Sequence, residues 1–470
     1  MHKRIPVMFV ALSLALAACA SVGQPAPPVE PTRVGPAFAG ASNAQAAVQP
    51  QTDWWKALND PVLDRLVERS LGANRDLLAA EADVKRARAL AKVEGWSLLP
   101  FGGVNASAGR QRQAGFDIED NFVGVGGQVS WEADVFGRLR AGAAAASADA
   151  LSLDEARRGV MATIAAQTAS TYADLRGAQD RLVAARANAQ IQEDTLRLTE
   201  GLRAGGRATP LDVMRARAQL ETTLAALPTF EAEIDGDVAA LDVLAAGLPS
   251  DLTAALRGSG SPPRPPAQIG VGAPDDLLRR RPDVRQAEAR VQAAAARVRG
   301  ARVDWWPRLT LTGVASVVAP GLSSLGNRQN LSFNVGPQID WPALDFRRNA
   351  LRLEAAKAGF EGEFLRYDKA VLAAVRDVEA SLSALDASQR SQARLEAAVD
   401  AAQRAAQVAR VRYREGVDPF FNVLDAERIL AQAQDSLAAA RTRSTVSYVR
   451  LGQALGAGWS DRNPLEIASR

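Results

Sequence analysis

The sequence is nearly devoid of histidine and cysteine, and this shortage limits its chemistry. His2 and Cys19 are the only examples of either residue among 470, and both lie within the first 19 positions. If that segment is removed on maturation, neither histidine acid–base catalysis nor a zinc site with histidine ligands is available. We therefore predict no metal, no cofactor and no enzyme activity. Carboxylate-only catalysis stays open, although no sequence feature favours it.

An excess of one charge is also missing. The chain has 56 Lys and Arg against 53 Asp and Glu, a formal net charge of +3. No strongly basic surface follows, so nucleic acid is not an expected partner. With 47% hydrophobic residues, the chain can fill more than one domain's worth of core.

The clearest apolar run is short and lies near the N-terminus. After Lys3 and Arg4, Val7 to Ala18 has the length of a signal-peptide core rather than of a membrane span. It ends in Leu16-Ala17-Ala18-Cys19, which resembles the lipobox of bacterial lipoproteins. We predict a signal peptide over 1–18, acylation of Cys19 and a Pro- and Gln-rich tether over 19–53. The alternative is a soluble secreted protein with an incidental cysteine.

Two short turns interrupt long, alanine-rich helical sequence. Gly206 precedes Pro210 in the first turn, and Gly416 precedes Pro419 in the second. Glycine ends helices and proline is favoured in their first turn, so each turn is predicted to join two helices. The two glycines lie 210 residues apart.

The same shift of 210 residues relates other parts of the chain. It aligns Trp131 with Trp341 and Phe136 with Phe346. This indicates duplication of a unit of two helices, a hairpin and two long helices, and not a short solenoid repeat. We predict a first repeat over 54–249, a Pro- and Gly-rich connector over 250–273, a second repeat over 274–460 and a tail over 461–470.

The helical segments are too long for a compact domain. Gly137 to Leu202 contains no proline, and at about 1.5 Å per residue it reaches on the order of 100 Å. With their return helices, the long helices are predicted over 137–246 and 346–456. In the second repeat a coiled-coil stripe advances in steps of four and three: Phe360, Phe364, Tyr367, Val371, Val375, Val378, Leu382 and Leu385. A weaker stripe in the first repeat comprises Met161, Ala165, Thr168, Tyr172 and Leu175. The alternative is an ordinary antiparallel bundle buried on one face.

Two hairpins, at about 98–134 and 305–344, alternate apolar with polar residues, as strands with unlike faces do. Four strands cannot close a barrel in lipid, whereas three chains would supply twelve. Tryptophans at one end favour a membrane interface: Trp131, Trp305, Trp306 and Trp341. The alternative is a half-buried sheet in a soluble domain.

The turns share a further pattern, in which Gly206 is followed by Leu211-Asp212-Val213 and Gly416 by Phe421-Asn422-Val423. Together with the lipobox and the duplicated unit, this pattern resembles the TolC-type outer-membrane efflux family, and most closely its lipoprotein, drug-efflux (NodT-like) branch. The resemblance covers nearly all of 54–460. Each motif is modest alone, and their joint order is specific.

The resemblance implies a mainly α fold with β-hairpins, in which a homotrimer forms an α-barrel and a twelve-stranded transmembrane β-barrel. The function implied is a passive exit duct for drugs or other small toxic compounds, anchored in outer-membrane lipid. It implies a periplasmic adaptor and an inner-membrane RND-type pump as partners. The alternatives are the duct of a type I protein secretion system, a periplasmic coiled-coil adaptor lipoprotein, and a cell-wall hydrolase.

The resemblance also implies site residues. The gate of this branch is a leucine, an aspartate and an arginine, which fall here on Phe421, Asp425 and Arg428; the larger ring of Phe421 departs from the pattern. The first repeat lacks the acidic–basic pair. The alternative is a local ion pair between Asp425 and Arg428 on a solvated helix. Candidate adaptor-docking residues lie in the two turns: Gly206, Thr209, Pro210, Leu211, Asp212, Gly416, Asp418, Pro419, Phe421 and Asn422.

Overall fold

A computed structural model describes residues 35, 37–38, 40, 49–112, 119–267 and 269–459. The predicted signal peptide, Cys19, most of the predicted tether and the predicted tail therefore lie outside the described residues. The described helices are α1 (Pro61–Ala73), α2 (Arg75–Trp96), α3 (Arg138–Ala204), α4 (Pro210–Leu244), α5 (Ser250–Arg257), α6 (Pro274–Arg280), α7 (Pro282–Val303), α8 (Phe346–Arg414) and α9 (Phe420–Ala454). The strands are β1 (Phe101–Arg112), β2 (Glu119–Ala133), β3 (Arg308–Ala319) and β4 (Leu331–Asp340).

The chain divides into two compact units, and both repeats contribute to each. The described part of the sheet unit comprises Asp83–Asp154 and Gln286–Lys369. The helical unit comprises the described residues of Thr32–Ala82, Glu155–Arg285 and Ala370–Arg470. Within the described residues, no helix has both the length and the apolar character needed to cross a bilayer.

The sheet unit contains one antiparallel sheet in the order β1-β2-β3-β4. Its central pair joins the two repeats, with Trp131 opposite Leu311 and Val125 opposite Val317. The register places most of the large apolar residues of the four strands on one face, while Phe122, Val314 and Val318 lie on the other. Large side chains of this face, including Val104 and Phe333, are exposed in the single chain. The predicted alternation of faces is confirmed.

Two helices have the predicted extreme length. α3 has 67 residues and α8 has 69, whereas α4 and α9 have 35 each. At about 1.5 Å per residue, α3 and α8 each extend about 100 Å. The predicted boundaries of the first long helix are correct to within two residues at either end.

The core of the helical unit contains the weaker of the two predicted stripes. Met161, Ala165, Thr168, Tyr172 and Leu175 are all fully buried. The stronger stripe enters this unit at Val371. From there on, Val371, Val378, Leu382 and Leu385 are buried. The first stripe consists of smaller and more polar residues, so the sequence pattern indicated less burial than the structure shows.

The predicted connector contains a helix that the sequence interpretation missed. α5 begins directly after Pro249, and its Leu252 and Leu256 are buried. The buried Arg176 holds the C-terminal end of this helix by donating hydrogen bonds to the carbonyl oxygens of Gly258 (2.9 Å) and Ala255 (3.2 Å). The other described residues of the segment, 258–267 and 269–273, lack regular structure, as expected from its prolines.

Candidate functional site

Both predicted turns end their helices in the same way. Gly206 and Gly416 adopt left-handed conformations, with φ of 73° and 76°. The Gly206 N–H donates to the Arg203 carbonyl (3.0 Å) and the Gly416 N–H to the Tyr413 carbonyl (2.9 Å). The next N–H in each turn donates to the carbonyl one residue earlier, Arg207 to Leu202 (2.8 Å) and Val417 to Arg412 (2.9 Å), so both turns are Schellman caps. Glycine occupies the one position of each turn where a side chain would be strained.

The helix after the first turn begins with a capping box. The Thr209 hydroxyl accepts from the Asp212 N–H (3.2 Å), and the Asp212 carboxylate accepts from the Thr209 N–H (3.0 Å). Pro210 is the first helical residue, as predicted.

The helix after the second turn begins differently. Pro419 occupies the N-cap, one residue outside the predicted first helical turn, and makes no side-chain cap. The turn is instead tied by Arg412, which donates two hydrogen bonds to the Asp418 carboxylate (2.7 and 3.0 Å). Hydrogen bonding from Arg412 lowers the pKa of Asp418, so this contact persists into acid.

The fold brings the two turns together, although they lie 210 residues apart in sequence. The Arg207 guanidinium of the first turn donates to the Arg414 carbonyl at the second (3.4 Å). A Cβ atom on Gly416 would lie 2.7 Å from the same guanidinium. Apolar side chains are exposed at this tip of the helical unit, among them Leu211, Met214 and Val417.

The three candidate gate residues share one exposed face of α9. Phe421 is 58% exposed, and the side chains of Asp425 and Arg428 are 42% and 56% exposed. Arg428 donates a hydrogen bond to Asp425 at 2.8 Å. The geometry thus places all three side chains where another chain or a pore could meet them. The same geometry contains the ion pair between Asp425 and Arg428 that the alternative interpretation, a solvated helix, predicts.

The opposite face of α9 packs into the helical unit. Phe420 and Val423 join Ala216, Ala409 and Tyr413 in an apolar cluster, here called the tip cluster. The rings of Tyr413 and Phe420 lie 5.3 Å apart at 58°. This packing buries Phe420 and Val423 on the inner face of α9.

A buried carboxylate on this inner face was missed by sequence reasoning. Glu427 is 5% exposed; it accepts a hydrogen bond from the Thr195 hydroxyl at 2.8 Å, and its Oε1 lies 3.5 Å from Nε of Arg410. Burial raises the pKa of Glu427, against the opposing effects of Thr195 and Arg410. A signal was present, because Glu427 lies four residues after Val423 and three before Leu430, in line with an apolar stripe.

The four predicted interface tryptophans lie at one end of the sheet and are partly exposed. The indole N–H of Trp131 donates to the Leu98 carbonyl (3.0 Å), and that of Trp341 donates to the Trp305 carbonyl (3.2 Å). Trp306 stacks on Phe136 at 5.1 Å. Each of these contacts joins a strand end to a neighbouring segment of the sheet unit.

Among the described residues, no group of three or more histidine, cysteine, aspartate or glutamate side chains could hold a metal ion.

The chain resembles known proteins over nearly its full length. The family model described as outer membrane efflux protein matches residues 66–247 and 273–457, one segment in each repeat. The toluene efflux pump outer membrane protein TtgF of Pseudomonas putida is 32% identical over 467 residues, 96% of each chain. Outer membrane protein OprJ of Pseudomonas aeruginosa is 30% identical over 470 residues, covering 97% of this chain and 96% of its own.

Solved structures agree. The outer-membrane channel OprN is 32% identical, with a TM-score of 0.84 over 92% of this chain and 99% of its own. The open state of the MtrE outer membrane channel of Neisseria gonorrhoeae shares the fold at 24% identity, with a TM-score of 0.83 over 93% of this chain and 98% of its own.

Proposed function

Because the chain belongs to the outer membrane efflux protein family and is an exit duct of an efflux system in the outer membrane, we propose that three copies assemble into the working channel. One chain supplies four strands, and its edge strands β1 and β4 each have one unpaired side. Unpaired edges are not tolerated in lipid, whereas twelve strands can close. The exposed apolar face of each sheet would then contact outer-membrane lipid.

The observation that carries this proposal is the combination of that sheet with helices of 67 and 69 residues. Helices of about 100 Å span far more than a compact domain, and they suit a tube that crosses the periplasm. A periplasmic adaptor would need all-β domains, whereas the described strands form a single four-stranded sheet. No enzymatic step is needed, because the duct is passive and its pump supplies the energy.

The tip formed by the two turns is the proposed periplasmic end. Exposed Leu211, Met214 and Val417 offer an apolar surface to a periplasmic adaptor, which links the duct to an inner-membrane RND-type pump. Acylation of Cys19 anchors the chain in the outer membrane. The interface tryptophans flank the membrane-facing part of the sheet.

The exposed face of α9 is the proposed gate. Around a three-fold axis, three copies of Asp425 form a ring of like charges, whose mutual repulsion a nearby cation would offset. Arg428, already 2.8 Å from Asp425 within one chain, supplies that charge. Phe421, one helical turn before Asp425, adds an apolar constriction.

Deletion of the gene tests the proposed function. We expect greater susceptibility to small toxic compounds, restored by the wild-type gene, and an unchanged profile of secreted proteins. The opposite pattern would indicate a protein-secretion duct. Heat-labile migration as a trimer and recovery in the outer-membrane fraction test the assembly.

A further inference from the structure

The buried carboxylate of Glu427 is an unusual choice for its position. It lies between the tip cluster and a second apolar cluster formed by Ala402, Ala406 and Leu430. Burying a carboxylate is costly unless it is paired and hydrogen-bonded. If apolar packing alone determined the residue type at this position, an apolar side chain would be expected.

The three groups of this polar layer come from three different helices. Glu427 belongs to α9, Thr195 to α3 and Arg410 to α8. The Thr195 hydroxyl is 2.8 Å from the carboxylate, and Nε of Arg410 lies 3.5 Å from the same oxygen. Arg410 also donates to the Ala406 carbonyl at 3.2 Å. Glu427 therefore links α9 to α3, which leads into the first turn, and to α8, which leads into the second.

Such a contact has a directional requirement that the alanine contacts beside it lack. Alanines facing α9, such as Ala402, Ala406 and Ala409, present small surfaces that accept several helix rotations at similar energy. A hydrogen bond weakens steeply when its distance or angle changes. In coiled coils, a single buried polar residue likewise specifies one register at a cost in stability.

The gate residues are fixed to the same helix. At about 100° per residue, Glu427 points about 160° away from Asp425 around α9. The contacts that hold Glu427 against α3 and α8 therefore also keep Phe421, Asp425 and Arg428 on the outer face of α9. Because α3 ends in the first turn, the contact also ties the gate helix to that turn.

We propose that Glu427 is the positioning residue of the gate: its contacts with Thr195 and Arg410 set the rotation of α9 and so aim Phe421, Asp425 and Arg428 at the pore. This inference rests on the proposed gate. It assigns Glu427 a role in orientation and not in stabilising the fold.

The substitution Glu427→Leu separates these two roles. It leaves few stranded polar groups, because Arg410 is partly exposed and Thr195 can bond to its own helix, as Thr199 does to the Thr195 carbonyl (2.8 Å). Replacement of a buried ionic group by an apolar one of similar volume is often neutral or stabilising. Thr195→Val removes the hydroxyl donor from the other side.

The experiment measures closed-state conductance in planar bilayers and thermal stability of the assembled full-length channel. We expect Glu427→Leu to raise the conductance several-fold with an unfolding temperature at or above that of the wild type. Thr195→Val should raise the conductance less and should lower the unfolding temperature, because it leaves the buried Glu427 carboxylate without a hydrogen bond. Arg217→Leu is the matched control, because Arg217 is the exposed counterpart of Glu427 in the first repeat. Its conductance should match the wild type.

Asp425→Ala, measured in parallel, separates this proposal from the gate assignment. If Asp425→Ala raises the conductance and Glu427→Leu does not, the gate stands and the role of Glu427 is wrong. If neither raises it, the gate itself is wrong, and the role of Glu427 falls with it. A rise in conductance accompanied by loss of thermal stability in Glu427→Leu would also overturn the proposal, because loosened packing would explain it.

Discussion

Gly177 of α3 packs directly against Thr442 of α9, so closely that a Cβ atom on the glycine would overlap the threonine hydroxyl. Two ion pairs bridge the same helices, Asp180 with Arg441 at 3.1 Å and Arg181 with Asp435 at 2.7 Å. The crossing joins the first repeat to the second within the helical unit.

Gly177→Ala should therefore destabilise the protein. Overpacking in a close contact costs about 1–3 kcal/mol. Gly201→Ala in the same helix is the matched control, because no atom lies within 4 Å of its added Cβ, and alanine favours a helix interior by about 1 kcal/mol. Thermal unfolding should move in opposite directions for the two variants. Equal shifts would contradict the close packing.

Asp425→Ala and Arg428→Ala should each raise the closed-state conductance, because each removes part of the proposed charged ring. Arg215→Ala is the control, since Arg215 occupies the position of Asp425 in the first repeat, where no acidic–basic pair exists. Single-channel recording in planar bilayers makes the measurement. Unchanged conductance in both gate variants would reject the gate assignment.

Photo-crosslinking from the two turns should capture the periplasmic adaptor. Leu211 and Val417 are suitable positions because their side chains are exposed, and Trp341 at the sheet end is the control. Adducts with a co-expressed adaptor are expected from the turns and not from Trp341. Crosslinks confined to the tryptophan end would show that the proposed orientation is reversed.

Asp237→Asn should stabilise the helical unit at neutral pH. Asp237 lines a cavity of about 1070 Å³, where burial and then the charges of Asp174 and Glu233 raise its pKa to about 6. A raised carboxylate pKa means that the ionised form is disfavoured in the folded state, so stability is lost as pH rises through about 6. Each pKa unit corresponds to at most about 1.4 kcal/mol, and the partial exposure of Asp237 reduces this.

Thermal unfolding of the Asp237→Asn variant and the wild type at pH 8 and pH 4 checks this expectation. The variant should unfold at a higher temperature at pH 8. The difference should disappear near pH 4, where Asp237 is protonated in the folded protein. A constant difference at both pH values would contradict the assigned cause.

Local patterns in the sequence were enough to predict much of the architecture. The helix ends near Gly206 and Gly416 and the unlike faces of the strands follow from residues close together in the chain. The connector helix α5 was missed because eight residues between prolines carry too short a periodic signal. Pro419 was misplaced by one residue because proline also fits the N-cap.

The candidate site was only partly visible in the sequence. Phe421, Asp425 and Arg428 were found by resemblance, and their spacing predicted the shared face that the helical geometry gives them. Glu427 lies between two of these residues and was overlooked, since a lone glutamate on a charged helix is normally solvated. Its burial depends on α3 and α8, which no local pattern specifies.

Helix length, strand alternation and turn geometry depend on short-range backbone preferences and on periodicity, so residue order alone determined them. Side-chain partners distant along the chain were decided by tertiary structure: Thr195 meets Glu427 across 232 residues, and Gly177 meets Thr442. The alanine-rich helices offer many similar surfaces for contact. Close packing and buried hydrogen bonds select one arrangement among them, and these act only once the helices are assembled.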